Sequence, residues 1–257
     1  MSCSRIGADS CLRFPAADVA APDRKTIPVL PWNHLATAAI PGGGELRLMR
    51  RGDEFSIRLG ANELMNSRLG GSEEALATLA FRKLAGRQRP RILIGGLGMG
   101  FTLRATLAVS AADAAIEVAE LVPEVVAWAR GAMAKLFADS LTDARVSIIE
   151  RDVGELIGAA RGRYDAILLD VDNGPEGLSR QANDQLYDAG GLAAAHAALR
   201  DGGVLAVWSS GPDPSFTRRL RQSGFAVNEV AVRAVNKNSG SRHLIWLAVR
   251  EATTPRA

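Results

Sequence analysis

Cysteine is almost absent from this sequence. Of 257 residues only Cys3 and Cys11 are cysteines, and a bridge between them would close a tiny loop in a tail and stabilise little. No C-x-x-C pair and no G-x-S-x-G elbow occurs, so neither dithiol chemistry nor that serine nucleophile is on offer. A reducing, cytoplasmic setting is the expectation. Histidine is as sparse: His34, His196 and His243 stand far apart without metal-ligand spacing, each reads as a core or surface residue, and no metal is expected. Aromatics make up only 5% of the chain. None interleaves with the one dense basic cluster, Arg218, Arg219 and Arg221, so a single-strand nucleic-acid platform is not expected. No apolar run reaches 18 residues, which argues against a membrane span. The first residues lack the apolar stretch of a secretory leader, and Asp9 and Asp18 argue against an organellar transit peptide. Internal repeats and low-complexity segments are missing as well.

What remains is an ordinary globular composition, 47% hydrophobic and 23% charged with a formal charge of +3, enough for one sizeable α/β domain and a small appendage. Residues 1–27 lack periodicity and read as a tail, and 251–257 as another. Within 28–70, ELRLMR (45–50) and EFSIRL (54–59) alternate polar and apolar about Arg51-Gly52-Asp53, a hairpin signal, and ELMNS (63–67) extends the small sheet. Ser72 reads as an N-cap ahead of Glu73 and Glu74, with Leu76, Leu79, Ala80 and Leu84 at helical spacing and Gly86 as the stop. From 91 to 250 strands alternate with helices: strands at 91–95, 116–121, 145–150, 164–170, 203–209, 225–232 and 242–250, helices at 100–109, 123–138, 153–160, 183–200 and 213–222. The near-continuous apolar strands imply a sheet covered on both faces. The expected fold is therefore α/β, a doubly wound Rossmann-like, mostly parallel seven-stranded sheet ending in an antiparallel hairpin, preceded by a small β-rich domain.

RILIGGLGMGF (91–101) places Gly96, Gly98 and Gly100 in the turn after the first strand of the alternation. In open α/β sheets ligands sit beyond the carboxyl ends of strands, and glycine lets a backbone bend sharply and be approached closely. Three acidic positions share that rim. Glu120 ends the second strand, where a carboxylate can accept from both hydroxyls of a ribose. Asp152 follows the third strand; with Glu155 it has capping-box spacing, and it could also accept from an adenine amino group. Asp170 ends the fourth strand, followed by Asp172, Asn173, Gly174 and Pro175, which turn chemistry alone would explain. Trp128 and Trp246 read as packing, with Trp32 and Trp208 the better candidates to stack on a substrate. Ser209, Ser210 and Gly211 end the fifth strand on the ligand side.

Several of these stretches together resemble the spermidine synthase (polyamine aminopropyltransferase) family, within the class I S-adenosylmethionine-dependent methyltransferase-like superfamily. The family's I-G-G-G-D-G-G-T-L-R is matched by IGGLGMGFTLR, its V-E-I-D-P-E-V by AELVPEV, its acidic residue after the third strand by Asp152, and its Y-D-V-I-x-x-D-x-x-D-P-x-G-P by YDAILLDVDNGPEG. L-K-x-G-G-V-L is echoed in LRDGGVL. The resemblance implies a donor, S-adenosylmethionine or its decarboxylated form, held by Gly96, Gly98, Gly100, Glu120 and Asp152. It implies a small amine acceptor near Asp172 and Asn173, Asp170 as the group that orients and deprotonates that amine, and a homodimer.

Departures keep the alternatives open. The family's aspartate in the glycine motif is missing, with Leu97 and Met99 in its turn. Asn173 stands where a second aspartate belongs, and the family's Gln and Tyr-His pair have no counterpart in MNSRLGGSEEALATL, which offers Asn66, Glu73 and Glu74. Aminopropyl transfer, methyl transfer to a small molecule, and a non-catalytic nucleoside-binding module all fit the residues.

Overall fold

The computed structural model describes residues 30–84, 86–171, 185–234 and 242–252. Asp172 and Asn173 lie outside the described residues, as do Cys3, Cys11 and the connection 235–241. The chain divides into two compact units, Met1–Pro31 and Trp32–Ala257; both sheets belong to the second.

The first sheet is an antiparallel meander of β1 (Asn33–Ala39), β2 (Glu45–Arg51), β3 (Glu54–Leu59) and β4 (Asn62–Asn66). The alternation read in the sequence buries Leu46 and Leu48 on β2 and Phe55 and Ile57 on β3. Pairing runs up to Arg51 opposite Glu54, so the turn is Gly52-Asp53, with Gly52 at φ +59°. The strand NHLATAA was not foreseen: it buries only Ala38 and carries no alternation to read.

The second sheet has the order β10-β11-β9-β8-β5-β6-β7. Its parallel core is β5 (Arg91–Gly95), β6 (Ala115–Ala119), β7 (Val146–Ile149), β8 (Tyr164–Leu169) and β9 (Leu199–Ser209); β10 (Phe225–Arg233) and β11 (Arg242–Arg250) close one side antiparallel, as expected. Successive residues fall on opposite faces. Ile92, Ile94, Ala166 and Leu168 join one apolar layer, and Leu93, Ile167, Leu169 and Leu205 join the other. Both faces are thereby covered, which is what the unbroken apolar strands demanded.

The helices are α1 (Gly71–Lys83), α2 (Phe101–Val109), α3 (Pro123–Arg130), α4 (Ala134–Phe137), α5 (Val153–Ala159), α6 (Ala189–Ala198) and α7 (Pro214–Gln222). Three expectations need correction. Ser72 is not the cap of α1: Gly70 holds that position without a side-chain bond, and Ser72 is a buried residue of the first turn. The helix expected over 123–138 is two, because Gly131 leaves helical geometry at φ −109°, ψ −103°. The helix expected over 183–200 is interrupted at Asp188: residues 185–187 are helical, Asp188 then caps a new helix from Ala189 by accepting from Gly191 N at 2.8 Å, and β9 takes over at Leu199.

Candidate functional site

Strand pairing assembles the rim. Gly95 pairs with Ala119 on one side and Leu169 on the other, and Ala119 pairs with Ile149. The residues that follow these strand ends, Gly96, Glu120, Asp152 and Asp170, therefore emerge together at one carboxyl edge. This is also where sheet order reverses, between β5 and β8, the position at which open α/β sheets present a crevice.

The glycines of the turn have unequal reasons to be glycine. Gly96, Gly98 and Gly100 adopt φ of +89°, +49° and +74°, a region costly for residues with a Cβ. A Cβ on Gly96 would lie 2.6 Å from the Asp170 carbonyl oxygen, and one on Gly100 would strike the Phe137 ring. At Gly98 it would meet only Met65 Sδ, at 3.2 Å. Protein packing thus explains Gly96 and Gly100. Gly98 faces open space between two cavities and keeps that space clear.

The larger cavity encloses about 840 Å³, open solvent included, and runs between the two sheets. Gly96, Gly98, Glu120, Asp152 and Asp170 contribute from the parallel sheet, while Leu46, Leu59 and Met65 contribute from the meander. Glu120 is buried, and its two oxygens accept from Leu97 N at 3.0 Å and Val122 N at 2.9 Å. Burial raises its carboxyl above the ordinary range, against the pull of those backbone N–H groups. The backbone N–H groups of Leu121 and Gly98 also act on this carboxylate. Asp152 caps α5 by accepting from Gly154 N at 2.7 Å. Glu155 does not complete a capping box; it pairs with Arg151 at 2.8 Å.

The smaller cavity opens on the other side of Gly98, lined by Asn66, Glu73, Leu97, Met99, Phe101, Asp170 and Trp208 among others. Asp170 accepts from the Thr102 hydroxyl at 2.7 Å. Burial, and then the negative charge of Glu73, push its carboxyl up to about 7, with the Thr102 hydroxyl opposing. Burial raises Glu73 as well. The Ser72 hydroxyl lies 2.6 Å from Glu73 Oε2 and 2.9 Å from His243 Nδ1. His243 stands edge-on to Trp208, ring centres 4.8 Å apart. No Lys, Arg or His lines this cavity among the described residues.

The structure thus brings Gly96, Gly98, Glu120, Asp152 and Asp170 to one cavity, and Gly98, Gly100 and Asp170 to the other. Sequence reasoning offered Asn66, Glu73 and Glu74 in place of the family's missing Gln and Tyr-His pair, and Asn66 and Glu73 do line the smaller cavity; His243 it read as a core or surface residue. Glu73 read as a charge matched to the helix dipole, and its apposition to Asp170 depends on where α1 packs. Of the two tryptophans, Trp208 lines the smaller cavity, whereas Trp32 lies beneath the guanidinium groups of Arg51 and Arg58. The Ser209 hydroxyl donates to Gly211 O at 2.9 Å and accepts from Gly211 N at 3.3 Å. No metal-binding cluster occurs among the described residues, and none of their helices is long and apolar enough to cross a membrane.

No protein-family model matches this sequence, and no curated protein matches it. Solved structures do. A spermidine synthase in complex with the transition-state analogue AdoDATO superposes at TM-score 0.67 and 17% identity, over 84% of this chain and 72% of that one. The spermidine synthase of Thermotoga maritima gives 0.64 and 16%, over 84% and 72%. A probable spermidine synthase from Corynebacterium glutamicum ATCC 13032 gives 0.59 and 15%, over 86% and 81%. Identities this low carry the architecture and nothing finer, so the two-sheet arrangement and the rim it builds are those of the spermidine synthase-like, Rossmann-like methyltransferase fold.

Proposed function

We propose that the chain is a transferase that moves an aminopropyl group from decarboxylated S-adenosylmethionine to a small amine. The observation that carries this reading is the paired carboxylates of Glu73 and Asp170, facing a cavity without a cationic lining residue among those described. Such a cavity attracts ammonium groups and repels carboxylates. An aminopropyl donor and an amine acceptor are both cations without a carboxylate, while the methionine tail of the parent donor brings one. In this reading Glu120 accepts from the ribose hydroxyls and Asp152 from the adenine amino group. Gly96 and Gly98 offer backbone to the nucleoside, and Gly100 starts the helix that frames the cavity.

The sulfonium carbon is already activated, so most of the rate comes from holding a neutral amine in line with the carbon–sulfur bond. Asp170 attracts the ammonium and accepts the proton it must lose. The amine nitrogen then bonds to the carbon, the carbon–sulfur bond breaks, and its electron pair leaves with a neutral thioether.

Methyl transfer from S-adenosylmethionine is the second reading. It is favoured by Leu97 and Met99, buried apolar residues at the turn where an acidic side chain would grip the donor's ammonium. Titration calorimetry with both donors separates the two. Tighter binding of the decarboxylated donor supports aminopropyl transfer, tighter binding of the parent supports methyl transfer, and binding of neither removes both.

A further inference from the structure

The Ser72 hydroxyl has one hydrogen and two partners, Glu73 Oε2 at 2.6 Å and His243 Nδ1 at 2.9 Å. Two patterns run the hydrogens in one direction through all three groups. With Glu73 ionised, the hydroxyl donates to the carboxylate and His243 must carry its hydrogen on Nδ1 and donate to Oγ. With Glu73 protonated, the carboxyl donates to Oγ, the hydroxyl donates to Nδ1, and the ring hydrogen sits on Nε2. Between these two patterns the protonation of Glu73 and the tautomer of His243 change together. Ser72 is fully buried, so water does not compete for its hydroxyl. His243 belongs to β11, far along the chain from α1, and is half-buried.

We infer that Glu73, Ser72 and His243 form a proton wire leading out of the smaller cavity, and that it carries away the proton an ammonium acceptor sheds to Asp170. The second half of that statement rests on the amine-transfer reading. The balance is explicit. The ammonium gives one proton to Asp170, and Asp170 passes it to Glu73 within the cavity they share. Glu73 gives it to Ser72 Oγ as the serine hydrogen moves to His243 Nδ1, and His243 releases its Nε2 hydrogen to solvent. The secondary ammonium product keeps its remaining protons, so one proton leaves per turnover, and the wire is reset when the ring turns and its hydrogen exchanges through solvent from Nδ1 to Nε2. These are positioning residues that act through Asp170.

The charged and titratable groups around Glu73 are Asp170 at the end of β8, Glu74 on its own helix, Arg104 on α2, Arg233 at the end of β10 and His243 on β11. Burial and Glu74 raise Glu73, while its bond from Ser72 opposes them; burial lowers His243, which favours its neutral ring; and Arg104 is held near Glu74. The backbone of Arg233 packs on Gly71.

The test is nitrogen NMR of the full chain labelled at histidine, from pH 5.5 to 8.5, with the His243 signals identified by their loss in His243→Gln. The expected result is a change from hydrogen on Nε2 to hydrogen on Nδ1 as pH rises, with His34 and His196 as internal controls. Glu73→Gln should make the tautomer independent of pH, and Ser72→Ala should uncouple it from the carboxylates; native-like spectra confirm that either variant folds. A constant tautomer in the unmodified chain, or a pH-linked change that survives in a folded variant, overturns the wire. Adding 1,4-diaminobutane at the acidic end should ionise the carboxylates and move His243 to the Nδ1 form. If the pH-linked change is present and the diamine has no effect, the wire stands and the amine-transfer reading falls.

Discussion

In the proposed transfer Asp170 joins two demands that are usually separate, attraction of a cation and acceptance of a proton. Its carboxyl, pushed up to about 7, is protonated below neutrality and ionised above it. kcat/KM for amine transfer should therefore rise with pH through about 7, since that ratio reports the free enzyme. Asp170→Asn should leave donor affinity within a few-fold, slow turnover by roughly 10²-fold or more and abolish the rising limb; equal turnover would remove Asp170 from the mechanism. Stability carries the opposite sign. The folded carboxyl binds its proton more tightly than the unfolded one, whose value is 3.8. The stabilisation is complete below that value and is lost as pH rises through about 7. Asp170→Asn should thus raise the melting temperature of the ligand-free protein most at pH 8.5 and distinctly less at pH 5, as thermal melts at the two values will show.

At the scale of elements, the turn between β5 and α2 separates packing from binding. Gly100→Ala should destabilise by about 1–2 kcal/mol for its left-handed backbone and about 1–3 kcal/mol more for the clash with the Phe137 ring, measured by urea unfolding. Gly98→Ala bears only the backbone cost, because the flexible Met65 thioether can yield. If a donor lies against Gly98, that variant should lose donor affinity by about tenfold or more, the effect of one lost or strained contact of about 1.4 kcal/mol, while remaining folded. Unchanged affinity would mean the glycine serves the fold alone. The turn itself was legible, because glycine spacing after an apolar strand has a local cause. So were the strands of the parallel sheet, whose apolar runs state that both faces are covered. The split at Gly131 was not, since glycine within a helical pattern is often tolerated. Nor was Ser72 as an interior residue, because serine ahead of two glutamates looks like a cap until Gly70 is seen to hold that place. Glu73 was named, but its link to His243 was beyond reach for a different reason: it comes from α1 and β11 packing side by side, which no local pattern encodes.

For the whole molecule, the larger cavity matters because its wall is shared. Leu46, Leu59 and Met65 of the meander face Glu120 and Asp152 of the parallel sheet, so a ligand there would bind both sheets at once. A donor at 100 times its Kd adds about 2.7 kcal/mol. That should raise the melting temperature by roughly 5–10 °C for a chain of this size, in a single cooperative transition by scanning calorimetry. Loss of cooperativity on adding donor would show that only one sheet is engaged. The same geometry explains why the fold outlasts sequence likeness: strand order fixes where the rim lies, and few side chains are needed to do so.

The hydrogen bond between Ser72 and His243 also bears on how the protein is made. Glu73 and Asp170 leave the ribosome well before β11, so a nascent chain can hold both acidic groups and still lack the imidazole. Completion of the proposed proton path would then wait for β11 to zip into the sheet beside β9.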